Sequence, residues 1–359
     1  MIDPHVHLRD WDQKHKETIE HGLKVADRIG LSGVFDMPNT SPAITSRDLI
    51  EKRLSNGYAE RSPVFYGVYA GVTANPAQIK EVAQAHKDYF PIAKSRVGVV
   101  GLKMFAGHSV GNLGIVKMED QMTVYETLAD NGYRGVLAVH CENEFLLMPS
   151  RWNPKDPKSH SFARPPKSEY ESIKNQIDFA EAVNFAGNLH IAHVSIPASI
   201  GLIEDARRKG KIKITCGVTP HHCQLDYESQ PTGEQGLLFK VNPPLRSLEE
   251  SMRMFDLLKD GKIDWIETDH APHTLAEKTG KVHDTKGQPQ YMSGFPGLPF
   301  YPHFLEILRL CNVTETKIRN LTHKNIENAF GFSLPERGIE PTIDLHTEYE
   351  VDVYGEIRE

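Results

Sequence analysis

Cysteine is scarce in this sequence, and its spacing matches no disulfide pattern. The four cysteines, Cys141, Cys216, Cys223 and Cys311, form no CxxC pair and no disulfide framework. Such usage is typical of a reducing compartment. The first residues show no basic stretch followed by an apolar core, so no secretory signal is predicted. We therefore expect a cytoplasmic protein.

Long apolar runs and an excess of positive charge are also missing. No apolar stretch approaches the ~18 residues that a membrane-spanning helix needs. Lys and Arg number 41 against 48 Asp and Glu, so the formal net charge is −7. A nucleic-acid-binding protein would need a basic patch or excess, so we expect neither nucleic acid nor membrane as partner. With 39% hydrophobic and 25% charged residues, the 359-residue chain resembles an ordinary globular protein.

Eight short apolar segments rich in β-branched residues alternate with segments of helical periodicity. The predicted strands cover residues 1–8, 32–37, 64–72, 97–105, 136–141, 189–194, 212–218 and 263–268. The predicted helices cover residues 16–29, 45–54, 76–87, 118–130, 168–186, 197–209, 247–260 and 298–310. Eight strand–helix units predict a (β/α)8 barrel of the TIM type over residues 1–334. An open doubly wound sheet is the alternative, but its glycine-rich first turn is absent.

Three segments fall outside this alternation. Residues 142–170 and 271–296 are long connections, which in a compact domain usually cover a functional site or are disordered. Residues 335–359 are polar and poor in helix signals. We expect them to form an extended C-terminal segment that packs on the barrel.

Histidines follow three of the predicted strands. Active sites of such barrels lie at the carboxyl ends of the strands. The first strand ends in His5-Val6-His7, whose alternate side chains should point together into the barrel mouth. His140 and His193 end the fifth and sixth apolar segments. One such histidine would more often be structural, but two facing a pair indicate a metal centre.

Lys103 and Asp269 add two groups that are costly to bury. Lys103 lies inside the apolar fourth segment, so its amine reaches the rim, pairs with an anion, or is chemically altered. A neutral amine can react with carbon dioxide, and the resulting carbamate could bridge two metal ions. Asp269 follows the eighth segment and could bind metal and accept a proton from water. His270 is either a rim residue or one that orients a ligand.

The assembled set contains only nitrogen and oxygen ligands, sufficient for two divalent metal ions. Its members are His5, His7, Lys103, His140, His193 and Asp269. Zinc is the expected metal, with manganese, cobalt or iron as alternatives. Two such ions lower the pKa of water enough to give a nucleophile near neutral pH. This chemistry indicates hydrolysis of a carbonyl compound.

The motifs around these residues resemble those of the dihydroorotases of the amidohydrolase superfamily. They are DPHVHLRD at 3–10, MPNT at 37–40, GLK at 101–103, VHCEN at 139–143, HIAHVS at 190–195, TPHH at 219–222, NPPLR at 242–246 and TDHAPHT at 268–274. They occur in the family's order and extend to about residue 331. The resemblance implies a binuclear centre on the six residues above, bridged by carboxylated Lys103, which some dihydroorotases lack.

The resemblance also implies how a substrate is held. Arg9, Asn39 and His273 match the family's carboxylate contacts, and Asn242 matches a contact to the pyrimidine ring. Ser293 and Gly294 would supply backbone contacts. A guanidinium can clamp a carboxylate, and strand alternation would put Arg9 on the metal-facing side. Alternatively, Arg9 only pairs with Asp10 and Asn39 only forms a turn.

The implied reaction is reversible hydrolysis of (S)-dihydroorotate to N-carbamoyl-L-aspartate in pyrimidine biosynthesis, with Asp269 as catalytic acid and base. One alternative is another cyclic amidase, a hydantoinase, dihydropyrimidinase or allantoinase; hydantoinases and allantoinases generally lack an arginine at the position of Arg9. The other is an inactive barrel that scaffolds an aspartate transcarbamoylase, although complete retention of the ligands argues against it. A homo-oligomer is expected. His221, His222 and Cys223 are either a local metal site or support for the barrel mouth.

Two features depart from the family pattern. Many relatives have residues before the first strand that form a small β-sandwich with the C-terminal segment. We expect that subdomain to be missing or minimal here, with residues 344–346 as a remnant. The residues after Asp10 read Trp11-Asp12-Gln13, where many relatives have a Glu-Pro-Gly turn. We expect the loop geometry to differ there.

Overall fold

The computed structural model describes residues 1–108, 113–337 and 348–355. Eight parallel strands form one sheet in the order β1 to β8. They are β1 Ile2–Val6, β2 Gly33–Asp36, β3 Phe65–Gly71, β4 Val97–Ala106, β5 Val136–Cys141, β6 Asn188–Ile191, β7 Lys213–Val218 and β8 Trp265–Ile266. A bridge between Val6 and His270, extended by the His7 N–H to the His270 carbonyl at 2.8 Å, joins the last strand to the first. The nearly closed barrel confirms the predicted (β/α)8 fold.

The helices pack around this barrel in chain order. They are α1 Ile19–Arg28, α2 Arg47–Ala59, α3 Pro76–Asp88, α4 Met118–Asp130, α5 Ser159–Ala163, α6 Pro166–Ala182, α7 Pro197–Lys209, α8 Pro220–Gln224, α9 Gly233–Leu237, α10 Leu248–Lys259, α11 Leu275–Lys278, α12 Tyr301–Leu310, α13 Glu315–Arg319 and α14 Asn325–Phe330. The short helices α5, α8, α9, α11, α13 and α14 were not expected, because one or two turns contain too few residues to show a periodicity.

The two long connections are partly ordered by local structure. Residues 142–170 contain two 3-10 turns, Glu144–Leu146 and Pro149–Arg151, as well as α5 and the start of α6. The connection after β8 contains α11, which begins with a capping box between Thr274 and Glu277. Such a box satisfies amides that would otherwise lack partners at the helix start.

Burial on both faces explains why the strands read as continuous apolar runs. Every residue of β1, β2, β3 and β5 is buried. At the amino-terminal end of the barrel, Phe35, Tyr69 and Trp265 pack around Phe330 of α14. This aromatic layer closes the end opposite to the strand exits, so the space for a ligand lies at the carboxyl end.

Residues 348–355 lie against the barrel near the exit of β8. The ring of Tyr354 stacks on Phe300 with centroids 3.8 Å apart. The Tyr349 hydroxyl contacts Glu17 Oε1 at 2.5 Å and His270 Nε2 at 3.2 Å. The proposed β-sandwich remnant at 344–346 falls outside the described residues. Across the described ranges, no helix has both the length and the apolar character needed to cross a membrane.

Candidate metal and active site

A cavity of about 250 Å³ lies at the carboxyl ends of the strands. Its wall contains eleven of the residues that sequence analysis selected: His5, His7, Arg9, Asn39, His140, His193, Asn242, Asp269, His273, Ser293 and Gly294. Of the twelve proposed metal ligands and substrate contacts, only Lys103 is outside this wall. The structure therefore brings the proposed metal ligands and the proposed substrate contacts to one place.

His5, His7 and Asp269 offer ligand atoms that lie within 4.8 Å of one another. His7 Nε2 is 3.0 Å from Asp269 Oδ1, and His5 Nε2 is 3.4 Å from the same oxygen. Burial lowers the pKa of His5 to about 4 and that of His7 well below its ordinary value, so both rings are neutral at pH 7. Neutral imidazole is the form that binds metal.

Asn39 fixes the ring of His7. Its Oδ1 lies 2.7 Å from His7 Nδ1. Because a carbonyl oxygen only accepts, the ring proton is assigned to Nδ1, and Nε2 is left with a lone pair facing Asp269. Asn39 thus orients a proposed metal ligand in addition to lining the cavity.

His140 and His193 form a second pair of nitrogens. His140 Nδ1 lies 3.1 Å from His193 Nε2, close to the spacing of about 3.3 Å between two nitrogens on a tetrahedral zinc ion. His140 Nε2 donates to Glu142 at 2.9 Å, which frees Nδ1 for a ligand. Burial alone would raise the pKa of Glu142, but Arg164, which donates two hydrogen bonds to it, holds that pKa well below its usual range.

Lys103 is completely buried on β4. Its Nζ has no hydrogen-bond partner among the residues that the structure describes. Burial lowers the pKa of Lys103 to about 8, which makes a neutral amine accessible. A buried amine of this kind, beside four imidazoles and Asp269, fits a carbamate that binds metal. The donor set therefore fits a binuclear metal centre.

Glu267 supports this centre, and sequence analysis missed it. It accepts hydrogen bonds from the His193 N–H, from His190 Nε2 at 3.0 Å and from Trp265 Nε1 at 3.1 Å. Its carboxylate occupies the space over Gly217, where an added Cβ would lie within 2.7 Å of both carboxylate oxygens. The signal in the sequence was a carboxylate two positions before Asp269.

Arg9 reaches the cavity by a different route from the predicted one. Strand β1 ends at Val6, so the alternation argument that placed Arg9 on the metal-facing side of the strand is wrong. The chain instead turns through three residues with positive φ, Arg9 (45°), Asp10 (62°) and Trp11 (46°). Such conformations are strained for residues other than glycine.

The guanidinium of Arg9 is anchored by two contacts across the cavity. Arg9 Nε donates to the Pro272 carbonyl at 3.2 Å, and Nη2 donates to His273 Nε2 at 3.1 Å. Asp10 instead accepts hydrogen bonds from the amides of Trp11 and Ile19. These contacts place Arg9 and His273 side by side in the wall, as two groups that one carboxylate could contact together.

Lys240 organises another part of the cavity wall, and the sequence did not indicate it. Its Nζ donates to the Tyr291 carbonyl at 2.8 Å and to Ser293 Oγ at 2.7 Å, while its own carbonyl accepts from the Gly294 N–H at 2.9 Å. Lys278 is buried beneath and donates to the carbonyls of Lys240 and Gly294. In the sequence, Lys240 lies in a polar connection just before the NPPLR motif, and this position alone did not indicate a role in the site.

The remaining predicted residues are held by these same segments. Asn242 Oδ1 accepts a hydrogen bond from His160 Nε2 at 2.9 Å. His222 Nε2 donates to the Pro243 carbonyl at 3.1 Å. His221, His222 and Cys223 are buried on α8, outside the cavity wall. His222 therefore supports the segment that carries Asn242.

Comparisons with known proteins agree with this picture. The chain matches no family model. It is 31% identical over 366 residues to the dihydroorotase of Brevibacillus brevis, covering 98% of this chain and 79% of that protein. It is 31% identical over 360 residues to the dihydroorotase of Thermococcus kodakarensis, covering 98% and 74%. An L-hydantoinase structure from Arthrobacter aurescens has the same fold, with a TM-score of 0.78, 22% identity and coverage of 96% and 73%.

Proposed function

The chain belongs to the dihydroorotase family, and from that premise we propose that it catalyses the reversible hydrolysis of (S)-dihydroorotate to N-carbamoyl-L-aspartate in pyrimidine synthesis. The observation that carries the proposal is the placement of Arg9 and His273 in the same cavity wall as His5, His7 and Asp269. A cyclic amide that also bears a carboxylate fits both groups of residues at once.

We propose that the residues of the centre hold two divalent metal ions, zinc in the first place. The ligands would be His5, His7, His140, His193, Asp269 and a carbamate on Lys103. The neutral imidazoles of His5, His7 and His193, and the Lys103 Nζ without a described partner, support this assignment. When bound, such ions supply a water nucleophile of lowered pKa and polarise the carbonyl that it attacks.

Asp269 is proposed as the residue that moves the proton. In hydrolysis its carboxylate takes a proton from the attacking water and delivers it to the ring nitrogen that leaves. Burial raises the pKa of Asp269, which helps it to carry a proton between these steps. Ring closure runs through the same group in reverse and needs Asp269 protonated at the start.

The other residues of the cavity bind and orient the substrate. Arg9, Asn39 and His273 would hold the carboxylate. Asn242, Ser293 and Gly294 would contact the ureide, and Lys240 keeps their segments together. Fixing the carboxylate and the ureide of a rigid ring holds its amide carbon in one position for attack.

We propose that the reaction takes place in the cytoplasm. The described cysteines are free thiols, which is compatible with the cytoplasm as the site of the reaction. The contacts of Tyr349 and Tyr354 support the proposal of a barrel over residues 1–334 on which part of the segment 335–359 packs. A homo-oligomer stays a prediction, and association with an aspartate transcarbamoylase stays an open alternative.

One experiment tests the function and the metal centre together. The purified protein is assayed for dihydroorotate hydrolysis, and metal content is determined on the same sample. Turnover with about two metals per chain supports both proposals. Metal without turnover, followed by turnover of hydantoin or dihydrouracil, overturns the substrate assignment and keeps a cyclic amidase. A protein that has neither metal nor turnover contradicts both proposals and favours a scaffold.

A further inference from the structure

His273 lies between a cation and an anion in the cavity wall. Its Nε2 is 3.1 Å from Arg9 Nη2, and its Nδ1 is 3.3 Å from Glu277 Oε2. All three side chains are buried. Glu277 is itself fixed, because it belongs to the capping box of α11 and pairs with Lys16 at 3.1 Å and His15 at 3.3 Å.

These contacts assign the proton of the His273 ring. A guanidinium only donates, so His273 Nε2 must accept from Arg9. The single proton of the neutral ring is then on Nδ1 and points at the Glu277 carboxylate. Burial and the charge of Arg9 lower the pKa of His273 well below its ordinary value, in agreement with a neutral ring when no ligand is bound.

A substrate carboxylate cannot contact this form of His273 favourably. Carboxylate oxygens only accept, so they would face the lone pair on Nε2. Moving the proton from Nδ1 to Nε2 would solve that problem but would turn a lone pair toward Glu277. Burial favours a neutral carboxyl, yet the hydrogen bond from His273 and the charge of Lys16 hold the pKa of Glu277 well below its usual range. Glu277 thus stays an anion and blocks the exchange of tautomers.

We propose that Glu277 is a positioning residue of the carboxylate site. It holds His273 through Nδ1 and supplies the negative charge that lets His273 take up one proton from solvent when an anionic substrate binds. The imidazolium then donates through Nδ1 to Glu277 and through Nε2 to the substrate, and the proton returns to solvent on dissociation. This inference rests on the proposed function and extends it.

The charged groups around His273 determine how readily its ring takes up the proton. Arg9 faces it from the turn after β1, and Lys16, 3.4 Å from Nδ1, faces it from the segment before α1. Glu277 and Lys278 act from α11. The segment after α11 approaches the ring with Gly294, which has no charge, and Asp269 and Lys240 line the same cavity. Glu277 directly contacts the ring and opposes the cations, so its removal should abolish the uptake.

Glu277→Gln removes the negative charge but keeps the start of α11 capped, because glutamine also satisfies the N3 position of a capping box. The matched control is Glu250→Gln, which makes the same change in the capping box of α10. We expect Glu277→Gln to raise KM for dihydroorotate about 10-fold with little change in kcat, because a neutral His273 offers the substrate an uncharged hydrogen bond in place of a charged one. Glu250→Gln should leave both constants unchanged.

Proton uptake is counted by calorimetry with orotate, an unsaturated analogue that carries the same carboxylate. Titrations in two buffers of different ionisation enthalpy should give uptake of about one proton by the wild type and almost none by Glu277→Gln. Lys16→Met removes an opposing cation and should extend the uptake to higher pH.

The outcomes separate the two proposals. Turnover of dihydroorotate with equal KM in wild type and Glu277→Gln overturns this inference and leaves the function intact. Proton uptake that Glu277→Gln does not alter does the same. A wild type that neither turns over nor binds either carboxylate ligand overturns the proposed function and this inference with it.

Discussion

Glu142 accepts the Nε2 proton of His140 at 2.9 Å and thereby turns the other ring nitrogen toward His193. We expect Glu142→Gln to weaken metal binding about 10- to 100-fold, the usual cost of losing a group that orients a ligand. Metal retention after dialysis against graded chelator measures this. Glu119→Gln, on the exposed face of α4, is the control and should behave as wild type. Equal retention in both variants would contradict the orienting role.

Lys103→Ala should remove the proposed bridge between the metal ions. The wild type should hold about two metals per chain. We expect Lys103→Ala to hold fewer and to lose dihydroorotate turnover. Elemental analysis and the hydrolysis assay measure these effects. A short carboxylic acid added in excess should restore part of the activity, because it supplies two oxygens to the space that the side chain leaves. Full metal content and activity in Lys103→Ala would refute the carbamate.

Gly217→Ala should disturb the proposed metal centre by displacing Glu267. The new Cβ would collide with the Glu267 carboxylate and displace it from His190 and the His193 amide. We expect a loss of about 1–3 kcal/mol in the free energy of unfolding, together with weaker metal binding. Denaturant unfolding of the metal-free protein measures the first effect.

Gly201→Ala is the matched control for that substitution. Gly201 lies within α7, and an added Cβ there meets no described atom within 4 Å. Alanine in place of glycine inside a helix should raise the free energy of unfolding by roughly 0.5–1 kcal/mol. If Gly217→Ala were equally well tolerated, the tight packing of Glu267 over Gly217 would be wrong.

Arg9→Ala tests the carboxylate site separately from the metal centre. We expect KM for dihydroorotate to rise about 10- to 100-fold through loss of a charged hydrogen bond, with metal content unchanged. Any measurable hydrolysis of dihydrouracil, which has no carboxylate, should be unaffected. Equal losses on both substrates would show that Arg9 serves the cavity as a whole.

The two directions of the reaction should depend on pH in opposite ways. Hydrolysis needs Asp269 ionised, so its kcat should fall as pH falls through the pKa of this carboxyl, which burial raises. Ring closure needs Asp269 protonated, so its rate should fall as pH rises through the same pKa. Steady-state rates in both directions from pH 5 to 10 check this. A closure rate that increases above neutral pH would contradict the role of Asp269.

The barrel was predictable because its strands are buried on both faces and therefore read as apolar runs. The predicted strand 136–141 has the bounds of β5, Val136–Cys141. The eighth strand was predicted over 263–268 but covers only Trp265–Ile266. The Glu267 N–H still donates to the Val218 carbonyl at 3.1 Å, and the chain then turns at Asp269, whose φ is 49°. Apolar periodicity does not report such a departure.

The site was only partly predictable, because residue type reveals chemistry but not backbone direction. Histidines at strand ends indicated a metal centre whatever the details of the turns. Arg9 reaches the cavity through a left-handed turn that Trp11 secures by donating to Asn56 at 3.0 Å, and neither feature has a periodic pattern. Glu267 and Lys240 act through contacts between distant segments, which a single sequence does not display. Glu277 contacts His273 only four residues earlier, but α11 is too short to show a helical pattern.

Backbone pairing between β8 and β1 is sparse, with the Val6–His270 bridge as its main link. His5 and His7 lie on one side of this seam and Asp269 on the other. A metal ion held by all three would therefore fasten the two edges of the sheet. Chelation should leave the amides near Val6 and Ile266 exchanging hydrogen faster, while those between β3 and β5 stay protected.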